Sequence, residues 1–158
     1  MKRIDCLTPS RRFVLAGLGA VAIPSLAWAK GATIKVWKTP TCGCCGAWVE
    51  HLQQAGFDVE ATDIDQDTLD QVKNRLGVPT VLHSCHTAEV GGYVVEGHVP
   101  AADIKLLLNY SPEITGVAVP GMPVGSPGME MGDEVEPYAT YAFDSTGPTA
   151  IFARHGGA

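Results

Sequence analysis

The sequence has 158 residues, of which 46% are hydrophobic and 18% are charged, and its formal net charge is −6. This length suits one domain with a single buried core and is too short for two domains of ordinary size. The acidic balance argues against a nucleic-acid partner, because nucleic-acid binding requires a basic protein surface.

Residues 1–29 have the pattern of an export signal peptide. A basic start is followed by the uncharged apolar stretch 13–23 and by Ala27-Trp28-Ala29, a small-x-small cleavage pattern. Residues 10–15, Ser-Arg-Arg-Phe-Val-Leu, resemble the twin-arginine export signature. A general secretory signal or an uncleaved anchor is the alternative. We predict a periplasmic mature chain, residues 30–158, that forms a single domain and has no membrane span once the signal is removed.

The next part of the chain alternates between strand-like and helix-like periodicity. The predicted strands are 33–38, 57–64, 78–82 and 93–96, and the predicted helices are 44–55, 67–76 and 100–108. This α/β order, β-α-β-α-β-β-α, resembles the thioredoxin/glutaredoxin fold. In that fold Pro79 would be a site-shaping cis-proline that faces the cysteines, and an ordinary trans-proline is the alternative.

Residues 112–158 are predicted to form a C-terminal extension of the same domain. The stretch 112–133 is rich in Gly, Pro and Met and has neither helical nor strand periodicity, so we predict an ordered loop. Two further strands, 138–143 and 149–154, flank a turn and are expected to form a β-hairpin at the edge of the sheet.

Cysteines carry the chemistry that the sequence predicts. Cys6 falls in the signal, and three of the remaining four lie within residues 42–45. Cys42 and Cys45 have the C-x-x-C spacing of disulfide oxidoreductases at a helix start, where thiolates are favoured. Cys44 is a third thiol, which a two-electron redox centre does not need. Cys85 would face this helix start in a thioredoxin-like fold, so we predict that the four sulfur atoms converge on a soft metal.

Copper is the metal that the sequence favours over zinc. Structural zinc sites typically use two separated chelating pairs, and the spacings do not match those of iron–sulfur proteins. Nearby imidazole and thioether groups also suit copper. These secondary ligand candidates are His86, His98, Met122, Met129 and Met131. Two structural disulfides are the alternative to a metal site, and the sequence does not fix their pairing.

Four separated motifs resemble the CopG-like family of exported copper-resistance proteins, which is domain of unknown function family 411. They are 38–45 (Lys-Thr-Pro-Thr-Cys-Gly-Cys-Cys), 84–87 (Ser-Cys-His-Thr), 92–100 (Gly-Tyr-Val-Val-Glu-Gly-His-Val-Pro) and 120–130 (Pro-Gly-Met-Pro-Val-Gly-Ser-Pro-Gly-Met-Glu). The resemblance implies a thioredoxin-like fold, a copper site formed by the four cysteines, and copper handling in the periplasm. It also implies a change between Cu(I) and Cu(II) coupled to thiol–disulfide chemistry.

Two classes of function follow. The first is a copper-binding protein that holds Cu(I) through all four cysteines and exchanges it with other periplasmic copper-handling proteins. The second is an enzyme, a thiol–disulfide oxidoreductase in which Cys42 attacks and Cys45 resolves. A copper oxidoreductase would combine the two. We rank binding first, because disulfide exchange has no use for Cys44 and Cys85 and a bound metal would block the attacking sulfur.

Overall fold

The computed structural model describes residues 32–157, so the predicted signal at 1–29 lies outside the described residues. The strands are β1 (Thr33–Lys38), β2 (Asp58–Asp63), β3 (His86–Val90), β4 (Tyr93–Gly97), β5 (Gly116–Val119), β6 (Tyr138–Asp144) and β7 (Gly147–His155). The helices are α1 (Gly43–Gln54), α2 (Gln66–Arg75) and α3 (Ala101–Tyr110). None of these helices has the length and apolar character needed to cross a membrane.

The strands form one mixed sheet in the order β2-β1-β3-β4-β5-β6-β7. The pairs β1–β2 and β4–β5 are parallel, and the other neighbouring pairs are antiparallel. The predicted α/β class is confirmed. The predicted C-terminal hairpin is confirmed as well, because β6 and β7 pair with each other and extend the sheet at one edge.

The predicted third strand at 78–82 is wrong. Thr80–Leu82 form a single 3-10 turn, and the third strand lies instead at His86–Val90. The side chains of Val78 and Leu82 are buried whereas Thr80, which would share their face in a strand, is exposed, so the burial does not alternate as in a strand. The cis form predicted for Pro79 is also wrong, because residues 32–157 contain no cis peptide bond.

Strand β5 was not predicted. Its four residues, Gly116–Val119, are all buried and lie within the stretch whose Gly and Pro content indicated a loop. Tertiary pairing explains the difference, since β5 lies between β4 and β6 and bonds to both of them. A short buried strand has no polar–apolar alternation by which the sequence could reveal it.

The core lies on both faces of the sheet. On one face, Trp48 and Leu52 of α1 and Ile104 of α3 pack against buried aliphatic side chains of the strands. On the other face, Val78 and Leu82 pack in a smaller cluster with residues of β4, β5 and β6. Because both faces are covered, the central strands are fixed in position, and the start of α1 is held beside the start of β3.

Candidate metal centre

Three of the four cysteines lie at the start of helix α1, directly after strand β1. Cys42 is the residue before the first helical turn, and Cys44 and Cys45 are within that turn. The Cys45 side chain is fully buried, whereas Cys42 and Cys44 are half-buried. No side chain caps this helix start. Its unbonded N–H groups and the helix dipole therefore favour negative charge on nearby sulfur atoms.

All four sulfur atoms lie together, as predicted. Cys42 and Cys45 form a disulfide, and Cys44 and Cys85 are free thiols. The Cys44 Sγ lies 3.5 Å from Cys42 Sγ and 4.0 Å from Cys85 Sγ. The four Sγ atoms lie within 4.8 Å of one another. Two segments about 40 residues apart in the sequence therefore contribute to one cluster.

Two imidazoles lie beside the Cys85 sulfur. The distance from Cys85 Sγ is 3.1 Å to His98 Nε2 and 3.5 Å to His86 Nδ1. His98 Nδ1 lies 2.8 Å from the carbonyl oxygen of Pro127. A carbonyl can only accept, so we assign the proton of neutral His98 to Nδ1, which leaves a lone pair on Nε2 that faces the sulfur. Cys85, His86 and His98 thus form a second potential ligand set that shares one sulfur with the first.

Packing fixes both imidazole rings. His86 lies against Trp48 with ring centroids 4.3 Å apart, and the edge of one imidazole meets the face of the other at 4.9 Å. The indole of Trp48 is itself held, because Nε1 donates to the carbonyl oxygen of Val99 at 2.9 Å. Burial lowers the pKa of His98 and takes that of His86 well below its usual value. Both rings are therefore neutral at neutral pH, which is the form that binds metal.

His86 leaves one polar atom without a partner. Its Nε2 is buried and has no hydrogen-bond partner among the described residues. Buried polar groups normally have partners, and the ring nitrogen that faces the sulfur cluster is the other one, Nδ1, at 3.5 Å from Cys85 Sγ.

The pKa of Cys85 is raised to about 12, because burial disfavours the thiolate and the sulfur of Cys44 lies close by. This side chain is therefore a thiol at neutral pH in the metal-free protein. A metal ion that binds Cys85 has to displace its proton, so metal binding and proton release are coupled.

Comparison with known proteins identifies the family. Residues 82–129 match the family model "Protein of unknown function, DUF411". A solved structure of "Copper resistance protein copG- Form 2" is 44% identical with a TM-score of 0.73, and covers 80% of this chain and 100% of that one. "Copper resistance protein copG- Form 1" is 46% identical with a TM-score of 0.72, and the match covers 79% of this chain and 98% of that one. This chain belongs to the CopG-like DUF411 family. A search of curated proteins finds no match.

Residues 120–133 of this CopG-like chain follow β5 and are rich in Gly, Pro and Met. This segment, the Gly-Pro-Met loop, packs over the start of α1. Pro127 bonds to His98, and Gly128 lies against the helix backbone with φ +86°. A Cβ atom at Gly128 would lie 2.7 Å from the carbonyl oxygen of Cys44 and 2.8 Å from the backbone nitrogen of Trp48. Glycine is therefore required here for both its conformation and its size. The sequence predicted an ordered loop, and only the tertiary structure places it over the cysteine cluster.

The three methionine candidates occupy different environments. Met122 is 52% exposed and lines a cavity of about 340 Å³ that also reaches Cys85. Met129 is half-buried in the loop, and Met131 is 67% exposed. Of the three methionines, Met122 is the one that lines a cavity together with a cysteine of the cluster.

A buried ion pair, which the sequence analysis missed, holds the segment that carries Cys85. Glu96 accepts hydrogen bonds from Lys73 Nζ, from the Ser84 backbone N–H and from Thr87 Oγ1, each at 2.6 Å. Lys73 also donates to Thr87 Oγ1 at 2.7 Å. Ser84 and Thr87 flank Cys85 and His86, so the carboxylate of Glu96 fixes both ends of the segment that holds these two residues.

The sequence contains a signal for this pair. Lys73 lies four residues after Leu69, which places its charged side chain on the apolar face of α2. Glu96 follows Val94 and Val95 in β4, and it is fully buried there. A charged residue in an apolar helix face and another in an apolar strand indicate a buried pair, because either charge alone would be costly to bury.

Proposed function

We propose that this CopG-like protein binds Cu(I) through the sulfur atoms of Cys42, Cys44, Cys45 and Cys85. The observation that carries the proposal is the gathering of these four Sγ atoms within 4.8 Å of one another. Thiolates are soft ligands that select Cu(I). The name copper resistance protein, printed for both similar structures, supports copper as the metal. Zinc is the less favoured ion, since the cysteines are not two separated pairs.

His86 and His98 are proposed as additional ligands on the Cys85 side of the site. Support comes from the Nε2 lone pair of His98, which lies 3.1 Å from the sulfur, and from the short distance of 3.5 Å to His86 Nδ1. Imidazole binds copper in either oxidation state, whereas thiolate favours Cu(I). A site with both ligand types therefore suits an ion that changes between Cu(I) and Cu(II).

The cellular setting completes the proposal. We place the protein in the periplasm after export, because residues 1–29 have the pattern of a signal peptide. The mature chain, 30–158, is proposed to be one domain that exchanges copper with other periplasmic copper-handling proteins. We also assign strands β1–β4 and helices α1–α3 to a thioredoxin-like arrangement, which the sheet order β2-β1-β3-β4 supports.

The redox state of the Cys42–Cys45 pair provides a direct test. The reduced protein should take up Cu(I) in an anaerobic titration against a chromogenic Cu(I) chelator. The protein with its disulfide intact should bind less copper and more weakly, because two of the four sulfur atoms are then bonded to each other. Equal uptake by the two forms, with thiols counted in parallel samples, would contradict a four-cysteine site.

Thiol–disulfide exchange is the second candidate function, and the Cys42–Cys45 disulfide itself favours it. Cys42 is half-buried and Cys45 is fully buried, as expected for an attacking and a resolving thiol. If this function is correct, the copper-free protein should reduce a model disulfide substrate with dithiol consumption, and Cys42→Ser should abolish the activity. A rate no higher than that of the dithiol alone would reject this candidate and leave copper binding unaffected.

A further inference from the structure

A cavity beside the metal centre connects one of its cysteines with the protein surface. The cavity has a volume of about 340 Å³, and its lining includes Cys85, His83, Met122 and Asp70. It therefore brings a thiol, an imidazole, a thioether and a carboxylate to one opening. Met122 is 52% exposed and Asp70 is exposed, so these two side chains lie towards the solvent, whereas Cys85 is half-buried.

A hydrogen bond joins the two sulfur-bearing walls of the cavity. The hydroxyl of Ser84 donates to the carbonyl oxygen of Gly121 at 2.5 Å. Cys85 directly follows Ser84, and Met122 directly follows Gly121. The bond therefore keeps the segment of Met122 beside the segment of Cys85, although the two segments are 37 residues apart.

His83 also presents a ligand atom. Its Nε2 lies 3.2 Å from the carbonyl oxygen of Val78. Because a carbonyl accepts, we assign a proton to Nε2, so Nδ1 is the ring nitrogen that can bind a metal ion. Lys73, which also lines the cavity, is buried and bonded to Glu96 and Thr87, so its ammonium group is already paired.

We propose that this cavity is the route by which Cu(I) enters the site, and that Met122 and His83 are the first ligands of the incoming ion. The inference rests on the proposed copper-binding function and adds the route by which the ion reaches the cysteines. Thioether and imidazole ligands carry no negative charge and bind Cu(I) more weakly than thiolates do. The ion can therefore pass from them to Cys85. Its bonds to the thioether and the imidazole break as the copper–sulfur bond forms, and the thiol proton passes to the solvent in the open cavity. The oxidation state of copper does not change in this transfer.

Met122→Leu is the variant that tests the route. It removes the thioether and nearly conserves the volume of the side chain, so the fold should tolerate it. We expect Cu(I) transfer from a chromogenic chelator to the reduced protein to become about tenfold slower, which corresponds to roughly 1.4 kcal/mol in the barrier. The final stoichiometry and affinity should equal those of the wild type, because Met122 acts only during entry.

Met131→Leu is the matched control. Met131 is also exposed and belongs to the same Gly-Pro-Met stretch, but it is not part of the cavity lining. The Met131→Leu protein should take up Cu(I) at the wild-type rate. The proposal is overturned if Met122→Leu fills as fast as the wild type, if Met131→Leu is slowed equally, or if Met122→Leu binds fewer ions, which would make Met122 a resident ligand. Absence of copper uptake by the reduced wild type would instead reject the proposed function together with this route.

Discussion

Cys85→Ser should greatly weaken Cu(I) binding by the reduced protein. Cys85 is the one cysteine of the cluster that comes from outside the α1 segment, and its sulfur contacts Cys44, His86 and His98. Loss of an outer partner of a metal ligand already lowers affinity by roughly 10- to 100-fold. Loss of a direct thiolate ligand should lower it further, and competition with a Cu(I) chelator measures the difference.

The pH dependence of the affinity provides a second measurement on the same variant. The Cys85 pKa of about 12 means that copper displaces a proton throughout the neutral range, so the apparent affinity should rise as the pH rises. Each such proton contributes about a tenfold change in apparent affinity per pH unit below the pKa of its thiol. Cys85→Ser removes one thiol, so the affinity of the variant should depend less steeply on pH.

Two further variants make this test decisive. Cys44→Ser removes a sulfur between Cys42 and Cys85, so it should weaken binding in the same direction. Val81→Ser adds a serine at an exposed position four residues before Cys85 in the sequence and should leave the affinity unchanged. Wild-type affinity and pH dependence in a folded Cys85→Ser protein would contradict the four-cysteine site.

Lys73→Met should destabilise the protein by about 3–5 kcal/mol, because it leaves a buried carboxylate without its counter-charge. Glu96 is fully buried, and Lys73 is 1% exposed. Burial raises the pKa of Glu96, while the charge and hydrogen bond of Lys73 act in the opposite direction. Removal of Lys73 therefore leaves the carboxyl either charged and uncompensated or protonated. Denaturant unfolding of the disulfide-intact, metal-free protein measures the change.

The surface pair between Lys38 and Asp63 supplies a matched control. Its N–O distance is 2.6 Å, the same as in the buried pair, but the Asp63 side chain is 54% exposed. Lys38→Met should therefore change the free energy of unfolding by only about 0–1 kcal/mol. The double variant Lys73→Met/Glu96→Leu should recover much of the lost stability, because it removes both buried charges. Equal changes in the free energy of unfolding for Lys73→Met and Lys38→Met would show that the buried pair contributes no more to stability than the surface pair.

The fold could be predicted from the sequence where its pattern is local. The apolar face of α2 and the period-two pattern of β1 are properties of neighbouring residues. The predicted capping residue of α2, Asp67, is wrong, because Asp65 caps the helix and Asp67 lies in its first turn. The segment 78–82 is the counterexample, since a short apolar run fits a strand and a single helical turn equally well. Pairing with distant strands decided that β3 begins at His86 and that Gly116–Val119 form β5.

The sequence by itself determined the chemistry of the candidate site, because the types and spacing of Cys42, Cys44 and Cys45 follow from the covalent chain. Only the tertiary structure decided what surrounds these sulfur atoms. The position of His98 and the loop at Gly128 both depend on contacts between distant segments. Such contacts form only when burial of the core brings those segments together, so no local pattern in the sequence specifies them.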